Sequence, residues 1–194
     1  MKKTSGLSLI EMLAAAVVGA VLLLIATPAL LRFYQDSVMT STANQFATSL
    51  QYARGQALSL RTTVRVCRSE QPSATPVPVC NPAQGDQGYE SGWIVYADPP
   101  PGDDQPNQPE DVLQVVDLKL PEGFSIHGNS HVASQVGFTA LGTALGTNGV
   151  GNGTIVLCDR RGWADNGKYA RVVVISTPGR IRTVTGDASS VKSC

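Results

Sequence analysis

The side chains that could do chemistry fall into four groups. A single carboxylate, Glu11, stands at the leading edge of an apolar run; Gly179-Arg180-Ile181-Arg182 lies late in the chain; four cysteines stand at Cys67, Cys80, Cys158 and Cys194; and two histidines, His127 and His131, are four residues apart. Glu11 makes the sharpest demand. A carboxylate among lipid tails costs about 2.5 to 3.5 kcal/mol, so it persists only with a partner or a function. No basic residue lies within one helical turn of it, so the cation must come from elsewhere, and an amine released by proteolysis is the obvious source. Arg180 and Arg182 pose the opposite problem. Alternation along a strand would put both on one face, about 7 Å apart, with Ile181 on the other. Such a pair can hold neighbouring phosphates, each guanidinium as a bidentate donor. Arg160, Arg161, Lys168 and Arg171 could extend that surface, and the competing reading is an ordinary solvated strand face. The cysteine spacing fits no zinc template, so disulfides in an oxidising compartment are expected. Three pairings are open. Cys67 with Cys80 and Cys158 with Cys194 is favoured, because each closes a plausible loop and the second tethers the C-terminus.

Enzymatic chemistry has little to stand on. His127 and His131 follow a turn-forming stretch with no helix to align them and no thiol or acid constellation nearby, so they read as loop residues. No phosphate-cradling loop, serine elbow or paired catalytic carboxylate is present, and neither a metal nor a cofactor is expected. Trp93 lies in a β-run and reads as core; Trp163, beside Arg160 and Arg161, is the better stacking platform. With 15 basic and 15 acidic residues in 194, the whole surface is not a polyanion trap. Charge is nonetheless segregated. Residues 86–122 hold one basic side chain, Lys119, among many carboxylates, whereas residues 160–192 are mainly basic, so two surfaces of opposite potential are expected.

The elements that must position these groups follow from pattern. Lys2 and Lys3 precede an apolar run over residues 12–26, continued after Thr27 and Pro28 by Ala29, Leu30 and Leu31, close to the length that spans a bilayer. The basic start and polar remainder orient it with the leader in the cytoplasm and the rest outside. A secretory signal is the plainer alternative, but no small-x-small site follows the run and Glu11 is out of place in one. Pro28 cannot donate to the carbonyl of Leu24 and should kink or locally melt the helix. Beyond it, Met39, Ala43, Phe46, Leu50, Ala53, Ala57 and Leu60 recur at spacings of four and three, with Gln45, Gln51, Arg54 and Gln56 on the other side, which is an amphipathic helix lying on a folded head. Residues 62–67, 92–96, 112–118, 135–141, 154–158, 170–176 and 180–185 read as strands. The Gly-rich connection 142–153 is expected to be mobile and the Pro- and Asp-rich segment 98–111 to be an exposed loop.

At Gly6-Leu7-Ser8-Leu9-Ile10-Glu11 the sequence resembles the type IV prepilin motif, with Leu7 where phenylalanine is usual. The resemblance implies cleavage by prepilin peptidase between Gly6 and Leu7, N-methylation of Leu7, and Glu11 as the assembly contact for the new amine. Across essentially the whole chain the order of elements resembles the GspH/FimT family of minor pilins and pseudopilins. The landmarks are Gln51-Tyr52-Ala53-Arg54-Gly55-Gln56-Ala57, Val64-Arg65-Val66-Cys67, Gly92-Trp93-Ile94-Val95-Tyr96, Val136-Gly137-Phe138 with Gly142, and Val172-Val173-Val174-Ile175-Ser176-Thr177-Pro178-Gly179-Arg180. What this implies is an α+β, pilin-like fold: a leader (1–6), a transmembrane helix (7–31), an amphipathic helix (32–61) and an antiparallel β-rich head (62–194). It implies a single-pass inner-membrane protein with a periplasmic head, assembling with other major and minor pilins or pseudopilins. Gly179-Arg180-Ile181-Arg182 also matches the Gly-Arg-x-Arg motif with which DNA-binding members of the FimT branch capture double-stranded DNA. A GspH-type pseudopilin of a type II secretion system, without DNA binding, is the alternative.

Overall fold

The computed structural model describes residues 8–81, 88–100, 102–147, 149–162 and 167–187. The chain divides into two compact units, Met1–Val38 and Met39–Cys194. One helix, α1 (Leu9–Leu60), runs through the boundary. In the first unit its apolar side chains, Leu13, Val17, Leu24 and Leu31 among them, are exposed. The helix is unbroken at Pro28, so the expected melting does not occur: proline removes a single bond, and the bonds on either side persist. Thr27 donates its hydroxyl to the carbonyl of Leu23 at 2.6 Å.

In the second unit the predicted stripe is buried from Met39 through Ala43, Phe46, Leu50 and Ala53 to Ala57. Leu60 departs from it, being 49% exposed, because the helix ends there: Arg61 takes φ 54° and the chain turns into the first strand. Small residues dominate this face, which lets strands approach the helix closely. Its aromatic side chain, Phe46, meets Tyr89 and Trp93 edge-on at centroid distances of 5.1 and 4.7 Å, the arrangement aromatic quadrupoles favour.

Among the described residues nine strands form two antiparallel sheets. β1 (Thr63–Arg68), β2 (Gly92–Asp98), β3 (Val112–Asp117), β5 (Gln135–Phe138) and β6 (Ala144–Gly146) make one, in the order β3-β2-β1-β5-β6; β4 (Ser125–Gly128), β7 (Gly153–Cys158), β8 (Arg171–Ile175) and β9 (Ile181–Thr185) make the other, in the order β4-β7-β8-β9. The seven predicted strands are all present with slightly different ends, and β4 and β6 add to them. β4 puts His127 on a strand rather than a loop, and β6 places ordered ladder inside the connection expected to be mobile. Both are short and Gly-containing, so only pairing with β7 and β5 identifies them.

Val64, Val66, Trp93, Val95, Phe138, Ile155, Leu157, Val173 and Ile175 join the helix stripe in one core. β2 is buried on both faces, as its unbroken apolar run suggests: Ile94 and Tyr96 point away from the helix and pack with Cys67 and Cys80. Those cysteines form the expected disulfide; of the second expected pair, Cys194 lies outside the described residues. The segment 98–111 is less open than expected. Asp98 is buried beneath Arg65, whose Nε donates to its carboxylate at 2.6 Å, and Asp104 also pairs with Arg65. Residues Pro109–Asp111 form a short 3-10 turn.

Candidate nucleic-acid interface

The Gly179-Arg180-Ile181-Arg182 stretch forms the turn between β8 and β9 and the start of the edge strand β9. Gly179 donates its N–H to Ser176 O at 2.7 Å. Ser176 in turn donates its N–H and hydroxyl to Arg180 O at 3.0 and 3.2 Å. Gly179 has φ 77°, and a Cβ there would sit 2.1 Å from Gly142 O, so only glycine fits. The turn is clamped from the helix: Arg54 donates Nε to Gly142 O at 3.0 Å and Nη2 to Pro178 O at 3.2 Å. Arg54 was legible only as a polar-face residue, because its partners are 88 and 124 positions away.

Ile181 is half-buried against the main core, whereas Arg182 lies opposite Val174 on the outer side of the sheet. Arg180 and Arg182 are exposed and share a concavity of about 220 Å³ with Val174 and Ser176. The expected common side is therefore formed. Among the described residues neither guanidinium has a carboxylate or other partner.

The other basic residues do not join them. β7 pairs Leu157 with Arg171, while Arg182 pairs with Val174, so Arg171 and the segment after β7 lie at the opposite end of the sheet. Arg160 donates to Glu122, through Nε to its carbonyl at 3.1 Å and through Nη2 to its carboxylate at 3.0 Å. Arg161 pairs with buried Asp159 and stacks on Tyr169, 4.2 Å from the ring centroid. Arg171 turns its Nη1 onto the carbonyl of Ala170 at 3.1 Å. Lys168 is exposed at that same end, and Trp163 lies outside the described residues. Arg180 and Arg182 thus stand apart from the other basic residues expected to extend their surface. Acidic residues are likewise tied up locally: Glu90 accepts from Gly88 N at 2.7 Å and Ile126 N at 2.9 Å, with His127 Nε2 at 3.4 Å. That histidine therefore braces β4. Among the described residues no group of three His, Cys, Asp or Glu could hold a metal.

At the other end of the chain, Ser8 O accepts from the N–H groups of Glu11 and Met12 at 3.0 and 3.1 Å, so α1 starts at the residue after Ser8. Glu11 is exposed in the first turn and has no partner among the described residues. Gly6 and Leu7 lie outside them. The helix is long and apolar enough to cross a membrane, and none of its most apolar stretch is buried.

Two crystal structures of the type IV minor pilin FimU of Pseudomonas aeruginosa (strain PAO1), in space groups P21 and P65, share the fold. The first aligns with TM-score 0.55 and 22% identity over 84% of this chain and 98% of FimU; the second with TM-score 0.51 and 23% identity over 80% and 98%. No curated protein sequence matches. The prokaryotic N-terminal methylation motif matches residues 1–27, which with the exposed apolar helix fits a membrane-anchored pilin. The family described as type II transport protein GspH matches residues 42–179, the helix stripe from Ala43 onward and every strand but β9, and the chain belongs to that family as a pilin-like member.

Proposed function

We propose that the protein is a minor pilin of a type IV pilus, assembling near the fibre tip and binding double-stranded DNA through Arg180 and Arg182. It is made with the leader 1–6, cut by prepilin peptidase between Gly6 and Leu7, and N-methylated on Leu7. The apolar half of α1 holds it in the lipid of the bacterial inner membrane, with the head in the periplasm. There Glu11 neutralises a methylated amine as the subunit docks with other pilins. The mechanism is mechanical and electrostatic, and no catalytic group takes part.

The observation that supports the DNA reading is the pair of guanidiniums over one concavity, without a partner among the described residues, on a turn held by Arg54 and Gly179. Phosphate contacts alone give capture without sequence preference. The family description supports a second reading, a minor pseudopilin of a type II secretion system that does not bind DNA. The two separate in one experiment. The full-length protein in detergent micelles is titrated with a fluorescent duplex at several salt concentrations, beside the Arg180→Ala, Arg182→Ala double variant. The DNA reading expects binding that weakens with salt, and a salt slope flattened by about 0.9 for each phosphate that the variant no longer neutralises. Equal affinity and slope in the two proteins would leave the secretion reading.

A further inference from the structure

Arg180 separates two concavities. On one side lies the hollow it shares with Arg182; on the other, a groove of about 370 Å³ runs between α1 and the β8–β9 turn, lined by Gln51, Arg54 and Gly55 from the helix and by Gly179 and Arg180 from the turn. Gln51, Arg54 and Gly55 stand at spacings of three and four, so they share one helix face. Gly55 is exposed, and a Cβ built there would have nothing within 4 Å. Glycine is a poor helix residue, and packing does not require it at this position; its effect is to leave the groove open. The charge on Arg54 is held only by the carbonyls of Gly142 and Pro178, with no carboxylate against it among the described residues. Two guanidiniums whose charge no acid offsets therefore flank an open groove, and Arg182 extends the row.

We propose that this groove is a second phosphate subsite, in which the DNA backbone continues past Arg180 and over Gly55 to reach Arg54 and Gln51. Arg54 then both clamps the turn and adds a positive charge to the track. This rests on the DNA reading of Arg180 and Arg182, and extends it to residues on the helix. Leu58 and Ile181 also line the groove; the occupant is a sugar-phosphate backbone, since the fixed cations of Arg54 and Arg180 flank it with no carboxylate against either among the described residues.

Gly55 provides a test that leaves the fold alone, because nothing crowds it. Full-length protein in detergent micelles is titrated with a fluorescent duplex across a salt series for the parent and for Gly55→Ala, Gly55→Glu and Gly55→Lys, with thermal melting confirming each fold. Gly55→Ala is expected to bind like the parent. Gly55→Glu should weaken binding at least about tenfold, while Gly55→Lys should bind as tightly or more tightly, with a salt slope steeper by about 0.9. Equal affinities for the Glu and Lys variants would overturn the subsite. The Arg180→Ala, Arg182→Ala protein run alongside separates the two claims. If that variant loses binding while the Gly55 series stays flat, only the groove assignment fails. If it binds like the parent, the DNA reading itself fails.

Discussion

At the scale of single residues, environment decides what a side chain can do. Arg161 and Arg180 are the same residue type in the same basic stretch of sequence, yet Arg161 is bound to Asp159 and Tyr169 while Arg180 is exposed and has no partner among the described residues. Tyr89 and Tyr96 make the same point for protons. Burial pushes both hydroxyls well above their ordinary value of 10.0, with Arg68 and Arg65 respectively opposing that rise. Each keeps its proton in the fold to higher pH than in the unfolded chain, so the stability involved is complete below about pH 10 and is lost as pH rises above it. Alkaline melting curves should fall steeply there, and Tyr96→Phe should flatten that limb. Tyr89→Phe should also cost about 1 kcal/mol at neutral pH, because Tyr89 donates to Val132 O at 2.9 Å. A Tyr96→Phe curve that falls as steeply as the parent's would contradict this account.

At the scale of elements, the helix stripe and seven strands could be read from periodicity because their side chains alternate between core and surroundings. The two strands that periodicity misses, β4 and β6, are short and carry glycine, and pairing rather than composition makes them strands. The segment joining β1 to β2 behaves similarly. It is held to the outer face of the sheet by the Cys67–Cys80 bond and by Gln105, which binds Cys80 through both its amide oxygen (3.0 Å) and its amide nitrogen (3.1 Å). The bond spans a sequence separation of 13; closing a loop of this size is worth about 3 kcal/mol. Replacing both cysteines by serine should lower the melting temperature of the second unit by several degrees, and reductant should lower the parent's by a similar amount. A melting point unchanged in the double serine variant would mean that Ile94 and Tyr96 are covered well enough without the bond.

At the scale of the whole molecule, the chain joins an apolar helix that leaves its side chains uncovered to a head with its own closed core. On the proposed reading the first is completed only by lipid and by neighbouring subunits. Glu11→Ala should therefore stay in the membrane fraction, since removing a charge eases insertion, while its amount in sheared fibres falls at least about tenfold against the parent. Incorporation at parental levels would remove the assembly role of the carboxylate. The methylation motif over residues 1–27 ends, and the match over residues 42–179 begins, on the same helix.

The sequence by itself determined the membrane-length helix, the position of Glu11, the amphipathic stripe and the strand-rich head, because each is written in local spacing and in the cost of placing apolar or charged groups in the wrong solvent. It also placed two arginines at alternate positions, one in the turn before β9 and one on that strand. Tertiary structure alone decided which cations stay available. Arg160 meets Glu122 from 38 positions away and Arg54 clamps Gly142 and Pro178 from 88 and 124, whereas Arg161 and Arg171 turn onto Asp159 and Ala170, two positions and one position away. Charge can be counted along a chain; whether it is neutralised is settled by which groups, near or distant in sequence, the folded backbone turns toward it.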